Sequence, residues 1–122
     1  MIQTILVVDD NIGIRSFLKE LLVPEGYLVL QAANGLEAIE TASQVPLDLI
    51  ILDVKMPCLS GLEVLHYFKK NLPEVPVILI SAYTNMELIN KIKEIDPAID
   101  YVGKPFDLVS IRELVRQRLK DR

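Results

Sequence analysis

Asp9, Asp10, Asp53, Ser81 and Lys104 are spread over most of a 122-residue chain, yet each stands at or just past the end of a short apolar run. The clearest run is Leu47-Asp48-Leu49-Ile50-Ile51-Leu52-Asp53, where five of the six residues before Asp53 are apolar, four of them consecutively. Such a run reads as a strand buried on both faces. A charge that ends it stands at the carboxyl edge of a sheet, where open α/β sheets place their ligands. If the five runs form one parallel sheet, that edge collects all five polar residues. Three carboxylates gathered there repel one another. At about 4 Å and an effective dielectric near 20, each like-charge pair costs on the order of 4 kcal/mol. A positive partner is therefore required, and Lys104 offers one charge while an oxygen-ligand cation such as Mg²⁺ offers two. Mg²⁺ favours one or two carboxylates, waters and a phosphate oxygen, so the residue types point to phosphoryl transfer. Asp53 is the candidate nucleophile, since a carboxylate can attack phosphorus and form an acyl phosphate. The cation, Lys104 and the Ser81 hydroxyl would neutralise the transferring oxygens. Asp9 alone or Ser81 alone would read as an ordinary strand-end group; the coincidence of five carries the inference.

The elements that must position these groups alternate along the chain. Apolar β-rich runs cover 4–8, 27–32, 47–53, 77–80 and 99–102. Between and after them lie helical patterns. Ile14, Phe17, Leu18, Leu21 and Leu22 form one stripe, with Asn11 or Asp10 as its cap. The second helix carries Leu36, Ile39 and Ala42 after Asn34-Gly35. The third spans 61–70 with Leu62, Leu65 and Phe68 inward, and the fourth spans 86–95. The last has Leu108, Ile111, Val115 and Leu119 inward, with Asp107 as its cap. Turn signals at Pro24-Glu25-Gly26, Pro46, Pro73, Pro76 and Pro97 separate them. Strand–helix alternation predicts an α/β fold: a single (βα)5 flavodoxin-like domain, a five-stranded parallel sheet with helices on both faces.

Half of the residues are hydrophobic and a quarter charged, which fits a globular domain rather than a disordered chain. A net charge of −4 gives no electrostatic case for nucleic acid or an anionic membrane. The acidic excess lies in residues 1–61, whereas 111–122 is net basic and reads as a solvated helix face. One cysteine, Cys58, cannot form an internal disulfide, and neither a signal peptide nor a membrane span is legible. These features predict a cytoplasmic protein. His66, the lone histidine, lies beside the inward stripe of the third helix without companion ligands, and reads as a surface residue. Cys58 has no evident activating neighbour. Tyr83 and Met86 are candidates to face a partner.

Val7-Val8-Asp9-Asp10, Leu52-Asp53-Val54-Lys55-Met56-Pro57 with Gly61, Ser81-Ala82 and Lys104-Pro105-Phe106 together resemble the receiver domains of two-component response regulators. The resemblance runs from first strand to last helix and implies one receiver domain over 1–122 with no output domain. It implies that Asp53 accepts a phosphoryl group from a partner's phosphohistidine. Asp10 and Asp53 would bind Mg²⁺ (or Mn²⁺ in its place) directly, Asp9 through water and Lys55 through its backbone carbonyl. Lys104 would contact the phosphoryl group, Ser81 would swing toward it, and Tyr101 would be the aromatic reporter. A closer likeness is to the sporulation initiation phosphotransferase F group, on Asp9-Asp10-Asn11-Ile12-Gly13-Ile14-Arg15, Glu25-Gly26-Tyr27, Gln31-Ala32-Ala33-Asn34-Gly35-Leu36 and Lys104-Pro105-Phe106-Asp107. That likeness implies a docking face of Ile14, Arg15, Leu18, Pro105 and Phe106, and as partners a sensor histidine kinase and a histidine phosphotransferase. It also implies a monomer without direct contact to nucleic acid. Two features depart from it: Tyr101 replaces a histidine, and the segment from Ser81 to Lys104 is one residue longer, with Asp96-Pro97 where a glycine-alanine pair is common.

Three roles follow from this resemblance: a phosphorelay intermediate, a stand-alone regulator that binds an effector when phosphorylated, or a receiver cut from a longer transcription factor. Enzymes of other classes fit less well. An aspartyl phosphatase would show a second aspartate two residues after Asp53, where Lys55 stands. Nucleotide or flavin carriers would need a phosphate-binding loop after the first strand, where acidic Asp9-Asp10-Asn11 stands instead.

Overall fold

Alternation of strand and helix is realised along the whole chain in a computed structural model that describes residues 2–54, 61–81 and 86–120. The strands are β1 (Thr4–Val8), β2 (Leu28–Ala32), β3 (Leu49–Asp53), β4 (Val77–Ser81) and β5 (Asp100–Gly103). The helices are α1 (Ile12–Leu22), α2 (Gly35–Gln44), α3 (Gly61–Asn71), α4 (Met86–Ile95) and α5 (Leu108–Leu119). All strands pair in parallel in the order β2-β1-β3-β4-β5. The architecture is the flavodoxin-like α/β fold expected from the sequence.

Every residue of β1, β3 and β4 is buried, as their near-continuous apolar runs require for strands covered on both faces. Side-chain alternation divides the core in two. Leu6, Val8, Ile50, Leu52 and Leu79 pack with Ala38 of α2, Val64, Leu65 and Phe68 of α3, and Ile92 of α4. Ile5, Val7, Leu49, Ile51, Ile78 and Ile80 meet Leu18 and Leu22 of α1 and Ile111, Val115 and Leu119 of α5 on the opposite face. Three helices thus cover one side of the sheet and two the other. The edge strands β2 and β5 are only partly buried, and their sequences are correspondingly more polar.

Capping follows the residue types. The Asn11 side chain accepts from Ile14 N at 3.1 Å, that of Asn34 from Glu37 N at 2.9 Å, and that of Asp107 from Val109 N at 2.9 Å. Glu37 in turn reaches back to accept from Ala33 N at 3.2 Å. After α1, a 3₁₀ turn over Val23–Glu25 ends at Gly26, whose φ of 98° lies in the left-handed region that glycine adopts without a Cβ clash.

Several stripe residues face outward instead of inward. Leu36 is 61% exposed and Leu108 43%. Both lie in the first turn of a helix that follows a βα loop, and in α2 that turn buries Gly35 and Ala38 in place of Leu36. Ile12 and Met86, in the first turns of α1 and α4, are exposed as well. Val64 takes a core place that the spacing had not singled out. The second strand begins one residue later than the apolar run, and the fifth is shifted by one. Tyr83 and Cys58 lie outside the described residues, and His66 is exposed on α3. Among the described residues no helix is long and apolar enough to cross a membrane.

Phe68 is fully buried and packs edge-on against Tyr67, with ring centroids 5.7 Å apart. Phe68→Ala is expected to lower unfolding free energy by about 3–5 kcal/mol, measured by urea denaturation, because the rigid sheet cannot collapse into the void.

Candidate active site

Strand ends and their first loop residues build the site. β1 stops at Val8, which pairs with Leu52, so Asp9 emerges beside Asp53, the last residue of β3. Asp53 pairs with Ile80, and Ser81 at the end of β4 pairs with Gly103, which leads directly into Lys104. Backbone bonds extend the ladder past each strand end: Asp9 N to Ala32 O at 3.1 Å, Val54 N to Ile80 O at 3.2 Å, and Lys104 N to Ser81 O at 2.7 Å. The polar groups therefore inherit the rigidity of the sheet. They also lie where the strand order reverses between β1 and β3, the usual location of ligand crevices in open α/β sheets.

Lys104 Nζ donates to Asp9 Oδ2 at 3.0 Å and to Asp53 Oδ2 at 3.2 Å, one ammonium bridging two strands. The other oxygen of Asp9 accepts from Asn11 N at 2.9 Å. Asp9 is fully buried and Asp53 nearly so, whereas Asp10 is exposed. Each of the three carboxylates can offer an oxygen such that the three oxygens lie within 4.8 Å of one another. Burial works to lower the Lys104 pKa, but the hydrogen bond to Asp9 and the charges of Asp53 and Asp9 outweigh it and raise the value. The ammonium is therefore firmly charged at neutral pH.

An all-oxygen, acidic donor set with one solvent-facing member suits a hard divalent cation. Lys104 supplies a single positive charge to three carboxylates, so the cluster fits Mg²⁺ in both donor chemistry and charge. The structure thus brings Asp9, Asp10, Asp53 and Lys104 together, with Ser81 buried at the adjacent strand end. Tyr101 lies on β5 opposite Leu79, half-buried against the core that α2, α3 and α4 cover. Lys55 lies outside the described residues.

The expected docking face needs one correction. Leu18 is fully buried against the sheet and presents no surface. Phe17, one residue earlier, turns outward, 39% exposed, and packs on Phe106 with ring centroids 6.1 Å apart. With Gly13, Ile14, Pro105 and Lys104 these rings line an open, mostly apolar cavity of about 480 Å³ beside the acidic cluster. The helical stripe contained both Phe17 and Leu18, and periodicity alone could not say which of two adjacent apolar residues would be covered. Arg15 is half-buried and donates from Nη1 to the Asp9 carbonyl at 2.7 Å and from Nε to Gln31 Oε1 at 3.2 Å. Nothing in the spacing of Arg15 and Gln31 announced that contact, because it joins a helix to a neighbouring strand.

Residues 5–116 match the model of the response regulator receiver domain, and the chain belongs to that family. It is 40% identical over 119 residues to sporulation initiation phosphotransferase F of Bacillus subtilis (strain 168), covering 98% of this chain and 95% of that protein. It is 34% identical to the transcriptional regulatory protein ZraR of Klebsiella oxytoca, but spans only 26% of that longer protein. Among solved structures it resembles a CheY-like response regulator receiver domain protein from Methanospirillum hungatei JF-1, with a TM-score of 0.94 at 27% identity over 99% of this chain and 96% of that one.

Replacing Lys104 by Met removes the cation that Asp9 and Asp53 share, and without divalent metal should cost on the order of 3 kcal/mol of stability. The folded-state pKa lies above the ordinary lysine value of 10.5, so this contribution is complete below that value and is lost as pH rises through the folded pKa. The stability difference between wild type and Lys104→Met should thus stay flat from about pH 7 to about pH 9 and shrink only in stronger alkali, as chemical denaturation across that range would show.

Proposed function

We propose that this receiver carries a phosphoryl group on Asp53, accepted from the phosphohistidine of a sensor histidine kinase and passed to a histidine phosphotransferase. The supporting observation is the ammonium of Lys104 held between Asp9 and Asp53 within a three-carboxylate cluster at the sheet edge. Similarity to a sporulation phosphotransferase over nearly the whole of both chains favours the relay role over effector binding.

In this reading an Asp53 oxygen forms the O–P bond as the N–P bond of the donor breaks, and the electron pair of that bond returns to the imidazole nitrogen. Asp10 and Asp53 would hold Mg²⁺ directly, Asp9 through water, and the Lys55 carbonyl would complete the protein ligands. The bound cation supplies charge neutralisation for the phosphoryl oxygens. Lys104 keeps its hold on Asp9 and turns its remaining donors to a phosphoryl oxygen. Its position does not have to be found anew, because Lys104 N is already anchored on Ser81 O. Ser81 would contribute its hydroxyl to another oxygen, and Tyr101 would respond on the neighbouring strand. The apolar cavity of Ile14, Phe17, Pro105 and Phe106, which Lys104 also lines, is the surface that would receive the donor protein.

Incubation with Mg²⁺ and a small-molecule acyl phosphate should add one phosphoryl group to the wild type, seen by intact mass, and none to Asp53→Asn. Equal labelling of the two would overturn the assignment of Asp53. Asp10→Asn should label more slowly and bind Mg²⁺ about tenfold more weakly by calorimetry, since it loses a direct carboxylate ligand while Asp53 is untouched.

A further inference from the structure

The acidic cluster is useful to a cation only if the exposed Asp10 is aimed at the same point as the buried Asp9 and Asp53, and the peptide that joins Asp9 to Asp10 sets that aim. Asp9 is held at four atoms. Its N–H donates to Ala32 O, its Oδ1 accepts from Asn11 N, its Oδ2 from Lys104 Nζ, and its carbonyl from Arg15 Nη1. The first three fix the residue itself. The fourth fixes the plane of the following peptide and with it the direction in which Asp10 leaves the strand.

Arg15 is well suited to this hold. It lies one turn into α1, with its own N–H on Asn11 O at 3.2 Å, so its backbone is anchored in the cap that ends the same loop. Its planar guanidinium cannot turn freely, because Nε is engaged by Gln31 Oε1 while Nη1 points at the carbonyl. Gln31 pairs with Val7 in the β1–β2 ladder and stands next to Ala32, the residue that receives the Asp9 N–H. Helix, loop and edge strand therefore converge on Asp9, and through Arg15 the helix and strand bear on the peptide that follows it.

We infer that Arg15, braced by Gln31, is a positioning residue for the cation site: it orients the Asp9–Asp10 peptide and acts on the metal only through it. The inference rests on the Mg²⁺ reading above and adds a role distinct from surface docking. Outer residues that orient ligands commonly change metal affinity by about 10–100-fold when removed.

The sign of the effect separates this role from simple electrostatics. A guanidinium near three carboxylates repels a divalent cation, so if charge were its whole influence, Arg15→Ala would tighten Mg²⁺ binding. As a positioning residue its loss must weaken it. Calorimetric titration of Mg²⁺ alone into the full chain should therefore show about a tenfold higher Kd for Arg15→Ala. Arg15→Lys keeps the charge and one donor but not the fork, and should restore part of the loss. Gln31→Ala removes only the brace and should fall between wild type and Arg15→Ala. Labelling by a small-molecule acyl phosphate should show the change in the Mg²⁺ concentration needed for half-maximal rate, with the rate at saturating Mg²⁺ much less affected. No partner protein is present, so a docking role would leave both readouts unmoved. Unchanged or tighter Mg²⁺ binding by Arg15→Ala overturns the inference. If Arg15→Ala fails to fold, wild-type affinity in both Arg15→Lys and Gln31→Ala overturns it equally. A wild type that binds no Mg²⁺ would defeat the metal reading itself, a result distinguishable from the variant pattern.

Discussion

Crowding of like charge at one edge of a hydrophobic sheet is the constraint that the rest of this structure serves. Asp9, Asp10 and Asp53 stand close enough to share a single ion, and two of them are buried. Such a cluster would spread apart if the backbone beneath it could yield. It is held instead by three strands whose every residue is buried, and by ladder hydrogen bonds that continue past the strand ends into the first loop residues. Lys104 offsets part of the repulsion and leaves part of it for a divalent cation. Functional sites commonly retain such local cost, and the close-packed core is what makes it tolerable.

The site is also arranged in a way that suits group transfer. The lysine is tied to strand ends through its backbone and its ammonium, so its charge is preorganised rather than recruited. The rings of Phe17 and Phe106, which line a cavity together with this lysine, add an apolar rim that brings no charge. First turns of several helices expose Ile12, Leu36 and Leu108. In the proposed role, apolar groups beside an acidic centre would engage a partner through contact area and reserve electrostatics for the phosphoryl group.

Long apolar runs and strong turn signals made the elements readable, because burial on both faces demands continuous hydrophobicity over β1, β3 and β4, and caps demand Asn or Asp at definite places. The central groups were readable for a related reason: each is a polar residue that ends an apolar run, so a parallel sheet must bring them to one edge. Stripe residues at helix starts were misplaced, since a periodic pattern describes the helix and does not reveal which first-turn residues the core covers. Leu18 and Phe17 could not be told apart either, because both satisfy the same periodicity and only contact with the sheet decides which is covered.

Residue order by itself therefore determined the α/β alternation, the Asp107 cap and the identity of the acidic cluster with its lysine, all of which follow from local patterning or from position relative to a strand end. Tertiary structure alone decided that Lys104 bridges Asp9 and Asp53, that Phe17 and not Leu18 meets Phe106, and that Arg15 reaches from α1 to the Asp9 carbonyl and Gln31. These are contacts between elements distant in sequence. Their geometry depends on how helices rest on a twisted sheet, and no local spacing records it.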